Sequence, residues 1–316
     1  MYKETKFYKM GTVISNRVFG KHVDEVLLAA FQEVERLEGM LSRFISNSEI
    51  SKMNHLSGIG YQQVSSETYE LLSNGVNFSK LSNGCFDITI GPLVDFWRQS
   101  KSNRTQPNHY ELKSILPLVN FIDIEFDECK KTVALKKAGQ SIDIGGIGKG
   151  YAADKVIEVF KKYGMESGFT NFGGNVAVMG VKPDNSPWNI GIRHPRKENS
   201  IIGVVSVTDK SVVTSGDYQR YFIDNKGNRY HHILNPCTGY PSESGLISVT
   251  VLADSSMEAD ALSTIIFISG LSNVKKYLNV FPGIEVILID KELNVYISSG
   301  IKDCFKTTKN IEVNIL

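Results

Sequence analysis

The sequence has few cysteines, no long apolar run and almost no net charge, and each shortage excludes a class of protein. The four cysteines among 316 residues are far apart and form no CxxC pair, which argues against a thiolate metal site. No apolar run is long enough to span a bilayer. The formal net charge is +1, without a basic block or an acidic tail, so neither nucleic acid nor an anionic membrane is an expected partner. We therefore expect a protein that acts on a small molecule.

The start of the chain lacks a basic-then-apolar leader and a lipobox-like cysteine. We therefore expect a cytoplasmic protein or, alternatively, an extracytoplasmic mature form whose leader has been removed. The length allows one large domain or two fused halves. We expect a single domain over residues 1–316, with two closely packed halves as the alternative, and we expect the polar run from Arg98 to Tyr110 to be an exposed loop.

Apolar periodicity predicts helices and strands that interleave without regular βαβ order, which favours an α+β fold. The predicted helices are 22–41, Glu67–Leu81, 152–163 closed by Gly164, and one that begins with the capping-box spacing of Ser255 and Glu258 and ends at Gly270. The predicted strands are 141–144, 201–207, 247–252, 286–289 and 294–298.

Three oxygen-bearing side chains share one face of the last helix. Asp260, Ser263 and Thr264 are three and four residues apart, so a helix brings them together. A carboxylate among apolar neighbours is costly to desolvate unless a cation relieves it, which suggests a site for a hard metal ion. Alternatively, Asp260 complements the helix dipole while Ser263 and Thr264 bond back to backbone carbonyls. The segment taken alone favours this second interpretation.

A glycine-rich segment, Gly145-Gly146-Ile147-Gly148-Lys149-Gly150, lies between a predicted strand and a predicted helix. Such a turn lets backbone N–H groups approach phosphate oxygens at a helix N-terminus, and Lys149 would add a positive charge. The spacing matches neither a Walker A loop, which needs Ser or Thr where Gly150 stands, nor a dinucleotide fingerprint. The alternative is a tight left-handed turn that needs glycine for steric reasons alone.

Two adjacent histidines, His231 and His232, precede a turn-rich stretch that ends at Pro241. In an extended segment their side chains point to opposite faces, so only one of them can serve a given site. Histidine changes protonation near neutral pH and could act as a general base. The alternative is an exposed or hydrogen-bonded pair without a catalytic role.

Two further segments mix polar and aromatic residues. Val213–Phe222 suits a polar ligand with an aromatic ring or, alternatively, is a loop entering an amphipathic strand with Asp217 and Arg220 paired at the surface. In Cys85–Leu93, Asp87 either accepts hydrogen bonds from a ligand or caps the turn at Gly91 and Pro92. The residues leave both alternatives open.

Taken together, eight segments in order along nearly the whole chain resemble the FAD:protein FMN transferase family. Its members are also called flavin transferases and formerly carried the name thiamin-biosynthesis lipoproteins. The matching segments are Met10-Gly11-Thr12, Leu41–Phe44 leading to Ser48–Ser51, Phe86–Leu93, Asp143–Asp154, Asn171–Asn175, Thr214–Phe222, His232–Pro241 and Ala259–Thr264.

This resemblance implies a T-fold-like α+β architecture with a mixed, largely antiparallel sheet and packed helices. It implies a transferase that uses FAD as substrate and Mg²⁺ as cofactor. Such an enzyme transfers FMN to a threonine or serine hydroxyl in the flavinylation motif of an acceptor flavoprotein and releases AMP. The expected metal ligands are Gly146, Asp260, Ser263 and Thr264. The expected FAD contacts are Met10, Phe44, Cys85, Phe86, Asp87, Asp143, Lys149, Asn171, Gly173, Thr214 and Leu234.

The resemblance also implies that His232 takes the proton from the acceptor hydroxyl, because the family's histidine directly precedes an Ile-x-x-Pro sequence. The chain departs from the family at Asn235 and Gln219, where members often have Asp and Glu, and this could weaken the orientation of His232 or of the flavin. Two other functions are compatible with the same residues: an FAD pyrophosphatase that releases free FMN and AMP, and a non-catalytic FAD-binding protein.

Overall fold

The computed structural model describes residues 2–308 and 311–316. Within these ranges the chain forms eight α-helices and seventeen β-strands. The helices are α1 (Val23–Leu41), α2 (Glu49–His55), α3 (Ser66–Leu81), α4 (Gly91–Asn103), α5 (His109–Ile115), α6 (Gly148–Lys162), α7 (Ser256–Ser269) and α8 (Val274–Val280). The strands are β1 (Tyr2–Lys9), β2 (Thr12–Phe19), β3 (Tyr61–Gln63), β4 (Ile124–Asp127), β5 (Thr132–Leu135), β6 (Ser167–Phe172), β7 (Asn175–Met179), β8 (Trp188–Arg193), β9 (Ile201–Val207), β10 (Ser211–Gly216), β11 (Tyr221–Ile223), β12 (Arg229–His231), β13 (Leu246–Ala253), β14 (Glu285–Asp290), β15 (Val295–Ile297), β16 (Phe305–Thr307) and β17 (Val313–Ile315).

The chain divides into two compact units, neither of which is continuous in sequence. The first unit comprises Met1–Arg36, Ile147–Tyr218 and Ser244–Leu316. The second unit comprises Leu37–Gly146 and Gln219–Glu243, so the division falls within α1. All strand pairings in the described ranges are antiparallel except that of β15 with β17.

The first unit is built on a nine-stranded sheet in the order β1-β2-β6-β7-β10-β13-β14-β15-β17. Side chains alternate between its two faces. On β10, Ser215 contacts α7, whereas Val212 points the other way and packs in a core that includes Trp188 of β8 and Val205 of β9. The three-stranded sheet β16-β9-β8 therefore covers one face of the large sheet, and α7 covers the other.

The second unit contains the small sheet β3-β5-β4, the hairpin β11-β12 and helices α2 to α5. Its aromatic cluster is centred on Trp97 of α4, whose ring lies near those of Phe222, Tyr230 and Tyr240. The indole Nε1 of Trp97 donates to the carbonyl oxygen of Gly239 at 2.7 Å. This bond fixes the turn that follows β12 against α4.

Most predicted elements agree with the structure, and the α+β class is confirmed. The helices predicted at 22–41, Glu67–Leu81 and 255–269 correspond to α1, α3 and α7, and Ser255 caps α7 by accepting from the Glu258 N–H. Four of the five predicted strands correspond to β9, β13, β14 and β15. Among the described helices, none has the length and apolar character that a membrane crossing requires.

The strand predicted at 141–144 is wrong. Ser141 makes only an isolated parallel bridge with Ile90. The side chain of Asn54 takes the place of a partner strand at the next residue, because its Oδ1 accepts from the N–H of Ile142 and its Nδ2 donates to the carbonyl of Ile142. The backbone also bonds to residues 88–91, since the Asp143 N–H donates to the Ile88 carbonyl at 2.8 Å and the Ser141 carbonyl accepts from the Gly91 N–H at 3.1 Å. These contacts are too few to make a strand.

The loop predicted from Arg98 to Tyr110 is largely wrong. Helix α4 continues to Asn103, and Arg104 ends it in a left-handed conformation with φ of 50°. Helix α5 begins at His109 after Asn108 as its N-cap. Polar residues occupy the exposed side of α4, and the apolar stripe that contains Trp97 is buried. The polar residues therefore belong to the exposed face of an amphipathic helix and not to a loop.

Candidate functional site

Asp260 is a buried carboxylate in the second turn of α7, in the first unit. It is 3% exposed. Its Oδ2 accepts from the N–H of Gly150 at 3.0 Å, and the Nζ of Lys149 lies 3.5 Å from Oδ1. The structure thus brings together Lys149 and Asp260, which the sequence placed in separate motifs. Asp260 satisfies the first turn of α6 rather than that of its own helix, so it is not the dipole-complementing acid that the segment alone favoured.

The hydroxyls of Ser263 and Thr264 on α7 both lie near a hydroxyl of β10. Ser263 donates to the carbonyl of Asp260 at 2.9 Å, as the structural alternative predicted for this residue. The Oγ of Ser215 lies 2.8 Å from that of Ser263 and 3.4 Å from the Oγ1 of Thr264. Ser215 is a member of this hydroxyl group that sequence reasoning did not single out. Its position within the matched segment Thr214–Phe222 was the only signal.

The glycine-rich segment contains no left-handed turn, since none of residues 145–150, all of them described, has a positive φ. Glycine is required there for close approach. In the second unit, a Cβ on Gly146 would lie 2.7 Å from the Phe86 ring. In the first unit, a Cβ on Gly150 would lie 2.2 Å from the carbonyl oxygen of Ser256. Helix α6 already begins at Gly148, so Lys149 lies in its first turn.

Other expected FAD contacts in the first unit lie on two neighbouring hairpin turns. Met10, with φ of 51°, and Gly11 connect β1 to β2, and Gly173 lies in the turn between β6 and β7. Gly173 has φ of 62°, and a Cβ there would lie 2.0 Å from the Oγ1 of Thr12, so only glycine fits. Asn171 accepts from the N–H of Gly174 at 2.8 Å. The side chain of Asn171 thus stabilises the second turn.

Thr214 lies on β10, where its Oγ1 is 2.8 Å from that of Thr250 on β13. The neighbouring Asp217 is buried rather than at the surface, which the surface-pair alternative did not expect. Both oxygens of Asp217 accept from the guanidinium of Arg196, each at 2.7 Å. Two parallel bonds hold this carboxylate, and they raise the pKa of Arg196. Sequence spacing gave no signal for this contact.

In the second unit, Arg43 organises the region of Phe44 and Asp143. Its Nη1 donates to the Oδ2 of Asp143 at 3.0 Å and to the carbonyl of Gly91 at 3.3 Å, and its Nη2 donates to Asp95. The other oxygen of Asp143 accepts from the Gly145 N–H at 2.8 Å. The Phe44 ring is 67% exposed and lies 5.5 Å from the Arg43 guanidinium. An exposed aromatic ring backed by a cation suits stacking against a flat ligand.

Asp87 is buried in the second unit and already has three donors. Its Oδ1 accepts from the N–H and the hydroxyl of Thr89, at 2.8 and 2.7 Å, and its Oδ2 accepts from the Phe121 N–H at 2.9 Å. Burial raises its pKa, against the lowering effect of these hydrogen bonds. The carboxylate shapes the turn at Thr89 rather than the one at Gly91. The neighbouring Phe86 is also buried, and Cys85 is partly exposed.

The structure distinguishes the two histidines of the second unit. The Nδ1 of His231 accepts from the Ile233 N–H at 3.3 Å, and its Nε2 lies 3.0 Å from the carbonyl of Ser242. Both ring nitrogens therefore have backbone partners. His232 is exposed, and its Nδ1 lies 3.0 Å from the carbonyl of Arg220. Because a carbonyl only accepts, Nδ1 carries the hydrogen and Nε2 is the basic nitrogen of a neutral ring.

The turn after His232 is organised by Asn235, whose Oδ1 accepts from the Cys237 N–H at 2.9 Å. This side chain makes a local turn, whereas a backbone carbonyl orients His232. Leu234 is buried in the cluster around Trp97, so its side chain is part of the core. Any contact of Leu234 with a ligand would have to involve its backbone.

The oxygen atoms near Asp260 suit a hard cation that is shared with a substrate. Within residues 2–308 and 311–316, no three His, Cys, Asp or Glu side chains form a group that could hold a metal by themselves. The carboxylate of Asp260 and the hydroxyl of Thr264 are hard oxygen donors in the first unit. Mg²⁺ commonly takes only one or two carboxylates from a protein and completes its shell with water and substrate phosphates. This donor set fits such an ion.

Comparison with known proteins defines the family. The ApbE family model matches residues 10–288. Two curated relatives carry the name FAD:protein FMN transferase. The one from Treponema pallidum is 32% identical over 312 residues, covering 93% of this chain and 86% of the relative. The one from Klebsiella pneumoniae is 31% identical over 291 residues, covering 92% of this chain and 90% of the relative.

Solved structures agree with this assignment. The ApbE protein from Thermotoga maritima superimposes with a TM-score of 0.89 at 31% identity and covers 96% of this chain and 99% of its own. The flavinyl transferase ApbE from Pseudomonas stutzeri, in its apo form, has a TM-score of 0.82 at 25% identity, with 97% and 98% covered. The chain therefore belongs to the ApbE family, and the expectation of a transferase is confirmed.

Proposed function

We propose that this protein transfers FMN from FAD to a threonine or serine hydroxyl of an acceptor flavoprotein, with Mg²⁺ as cofactor and AMP as the second product. The observation that carries the proposal is the buried carboxylate of Asp260, which accepts from the Gly150 N–H and faces the Lys149 ammonium, with the Thr264 hydroxyl one helical turn further along α7. The curated relatives named FAD:protein FMN transferase, which match over most of their length, support it.

The first unit supplies groups that suit a pyrophosphate. Lys149 and the N-terminal turn of α6 offer positive charge and N–H groups to phosphate oxygens. Asp260 and Thr264, with Ser263 next to them, are the proposed metal ligands of this unit, and Gly146 of the second unit is a ligand that the resemblance alone implies. A bound Mg²⁺ would supply Lewis-acid stabilisation of the charge that develops on the phosphates.

The second unit supplies groups that suit the flavin and the proton transfer. The exposed Phe44 ring, together with Cys85, Phe86, Asp87 and Asp143, forms the proposed flavin contacts. Met10, Asn171, Gly173 and Thr214 of the first unit and Leu234 of the second complete the proposed FAD-binding set. We propose that both units belong to one flavin transferase domain over residues 1–316.

His232 is the proposed general base. Its Nε2 takes the proton of the acceptor hydroxyl while the hydroxyl oxygen forms a bond to the phosphorus of the FMN half of FAD. The bond from that phosphorus to the bridging oxygen breaks, and AMP leaves with this oxygen. The carbonyl of Arg220 holds the required tautomer, since it keeps the hydrogen on Nδ1. Positioning and charge stabilisation, rather than a covalent enzyme intermediate, carry the reaction.

Mass measurement on an acceptor tests the proposal. The purified protein is incubated with FAD, Mg²⁺ and a flavoprotein subunit that carries a threonine or serine flavinylation motif. The acceptor should gain the mass of FMN less one water and keep flavin fluorescence after denaturation. An acceptor whose target hydroxyl is replaced by alanine is the matched control and should gain nothing.

The same reaction separates the other functions of this site. AMP with free FMN and an unchanged acceptor would instead identify an FAD pyrophosphatase, in which water takes the place of the hydroxyl. FAD binding without AMP at saturating Mg²⁺ would identify a non-catalytic flavin-binding protein. Either result would contradict the transferase proposal.

A further inference from the structure

Helices α6 and α7 of the first unit each satisfy the N-terminus of the other with a carboxylate. Asp154 of α6 accepts from the Ser256 N–H at 2.7 Å, from the Met257 N–H at 3.0 Å and from the Ser255 hydroxyl at 2.8 Å. In the opposite direction, Asp260 of α7 accepts from the Gly150 N–H at 3.0 Å. The first turn of each helix is therefore bonded to the side of the other.

At the N-terminus of each helix, the carboxylate from the other helix accepts from more backbone N–H groups than the helix's own capping residue does. Helix α6 follows Ile147, which has no side chain that can cap it. Helix α7 has Ser255, whose Oγ accepts from the Glu258 N–H, but the N–H groups of Ser256 and Met257 go to Asp154. An α-helix leaves its first four N–H groups without partners inside the helix. These two carboxylates accept hydrogen bonds from some of those groups.

The two helices also approach too closely for any side chain at Gly150. A Cβ there would lie 2.2 Å from the carbonyl oxygen and 2.6 Å from the carbonyl carbon of Ser256. Both atoms belong to backbone and cannot move aside as a flexible side chain could. Gly150 and Asp154 are one helical turn apart, and together they hold the start of α7 on α6.

We propose that Asp154 is a positioning residue for the metal and phosphate site. By fixing Ser255, Ser256 and Met257, it sets where the next turn of α7 places Asp260 relative to Lys149. The inference rests on the proposed function, and it assigns to Asp154 a role apart from contact with substrate or metal. Residues that orient metal ligands commonly matter for affinity almost as much as the ligands themselves.

The carboxylate form of Asp154 suits this role better than an amide would. Three donors point at its two oxygens, and an asparagine would direct an N–H₂ group at one of them. Burial raises the pKa of Asp154, and the three hydrogen bonds counter that rise. The negative charge also lies at the N-terminus of α7, where the helix dipole stabilises it. The residue is thus a charged cap supplied by a neighbouring helix.

Metal binding tests the inference without relying on turnover. Mn²⁺ serves as the spectroscopic probe, and its dissociation constant is measured by electron paramagnetic resonance in the full-length protein with FAD present and no acceptor. Asp154→Asn should weaken Mn²⁺ binding about 10-fold, the lower range for loss of an orienting group. Asp154→Glu, which keeps the charge, should recover part of the affinity.

The matched control is Asp290→Asn in the same unit. Asp290 also accepts three hydrogen bonds, from the Asn294 N–H and Nδ2 at 2.9 Å each and from the Tyr296 hydroxyl at 3.2 Å. The Asp290→Asn substitution should leave the Mn²⁺ affinity unchanged even if it lowers the melting temperature. Ser255→Ala removes one of the donors to Asp154 together with the oxygen that accepts from the Glu258 N–H, and it should give an intermediate loss. The test therefore remains available if Asp154→Asn does not fold.

The outcomes separate this inference from the proposed function. Wild-type Mn²⁺ affinity in folded Asp154→Asn, or in Ser255→Ala if the first variant does not fold, would overturn the positioning role. An equal loss in Asp290→Asn would overturn it too, because the effect would then be one of general stability. A wild-type protein that binds Mn²⁺ but attaches no FMN to any acceptor would contradict the proposed function alone.

Discussion

Asp260→Asn should abolish most Mg²⁺-dependent turnover while leaving the fold nearly intact. The substitution keeps the shape of the side chain and an oxygen that can accept from the Gly150 N–H. It removes the negative charge that faces Lys149 at 3.5 Å. The side chains of Lys149 and Asp260 are only 28% and 5% exposed, so the loss of this ion pair should cost roughly 1–3 kcal/mol of stability.

The expected effect on the reaction is much larger. Metal-assisted charge stabilisation typically contributes several kcal/mol to the transition state. A loss of about 3 kcal/mol corresponds to a rate reduction of about 100-fold. The assay is AMP release from FAD with acceptor at saturating Mg²⁺, measured by chromatography, together with thermal unfolding of each variant.

Asp254→Asn is the control for this experiment. Asp254 lies just before α7, its side chain is 83% exposed, and it pairs with Lys210 at 2.6 Å. Its removal should change neither the rate nor the melting temperature appreciably, since exposed ion pairs contribute little. A wild-type rate of AMP release in folded Asp260→Asn would refute the assignment of Asp260 to the metal.

Three further predictions follow from the same structure. His232→Ala should bind FAD normally yet slow FMN transfer about 10²- to 10⁴-fold, the usual range for a general base, and a parallel loss of FAD binding would make it structural instead. Gly150→Ala should destabilise the protein by roughly 1–3 kcal/mol through its clash with α7. Gly39→Ala in α1 is the control, because no atom lies within 4 Å of the new Cβ. It should stabilise the protein by up to about 1 kcal/mol in thermal unfolding. Equal changes in stability for the two glycine variants would contradict the packing argument. The hydrogen bonds from Arg17 lower the pKa of Glu4 below its ordinary value of 4.5, so this group stabilises the fold above pH 4.5 and loses that contribution as pH falls through the lowered pKa. Glu4→Gln should therefore be less stable than wild type at pH 7 but equal to it in strong acid, and a difference that persists there would contradict this sign.

Local sequence patterns predicted the elements whose cause is local. The capping-box spacing of Ser255 and Glu258 gave the start of α7, and Gly270 gave its end. Helical spacing also placed Asp260, Ser263 and Thr264 on one face, where the hydroxyls of Ser263 and Thr264 both approach Ser215. These features depend on contacts between residues a few positions apart, which periodicity reports directly.

Contacts between distant positions could not be predicted in the same way. Asp154 meets the start of α7 across 101 residues, and Arg43 meets Asp143 across 100. No spacing rule connects such residues, because the fold alone brings them together. Both lie inside segments that match the flavin transferase family, which indicated their segments but not their partners.

The glycine-rich segment shows why composition alone misleads. A run of glycines predicts either phosphate contact or a left-handed turn, yet none of residues 145–150 has a positive φ. What Gly146 and Gly150 provide is space, for the Phe86 ring and for the backbone of Ser256 respectively. The need for that space is visible only when the second partner is known.

The ratio of AMP released to FMN attached tests the central claim most directly. Purified protein, FAD, Mg²⁺ and an acceptor are mixed, AMP is measured by chromatography, and acceptor-bound FMN is measured by intact mass and by fluorescence after denaturation. Transfer through the proposed site predicts one attached FMN for each AMP, with the rates of both reduced about 100-fold in Asp260→Asn. AMP matched by free FMN, with no change in acceptor mass, would contradict the account.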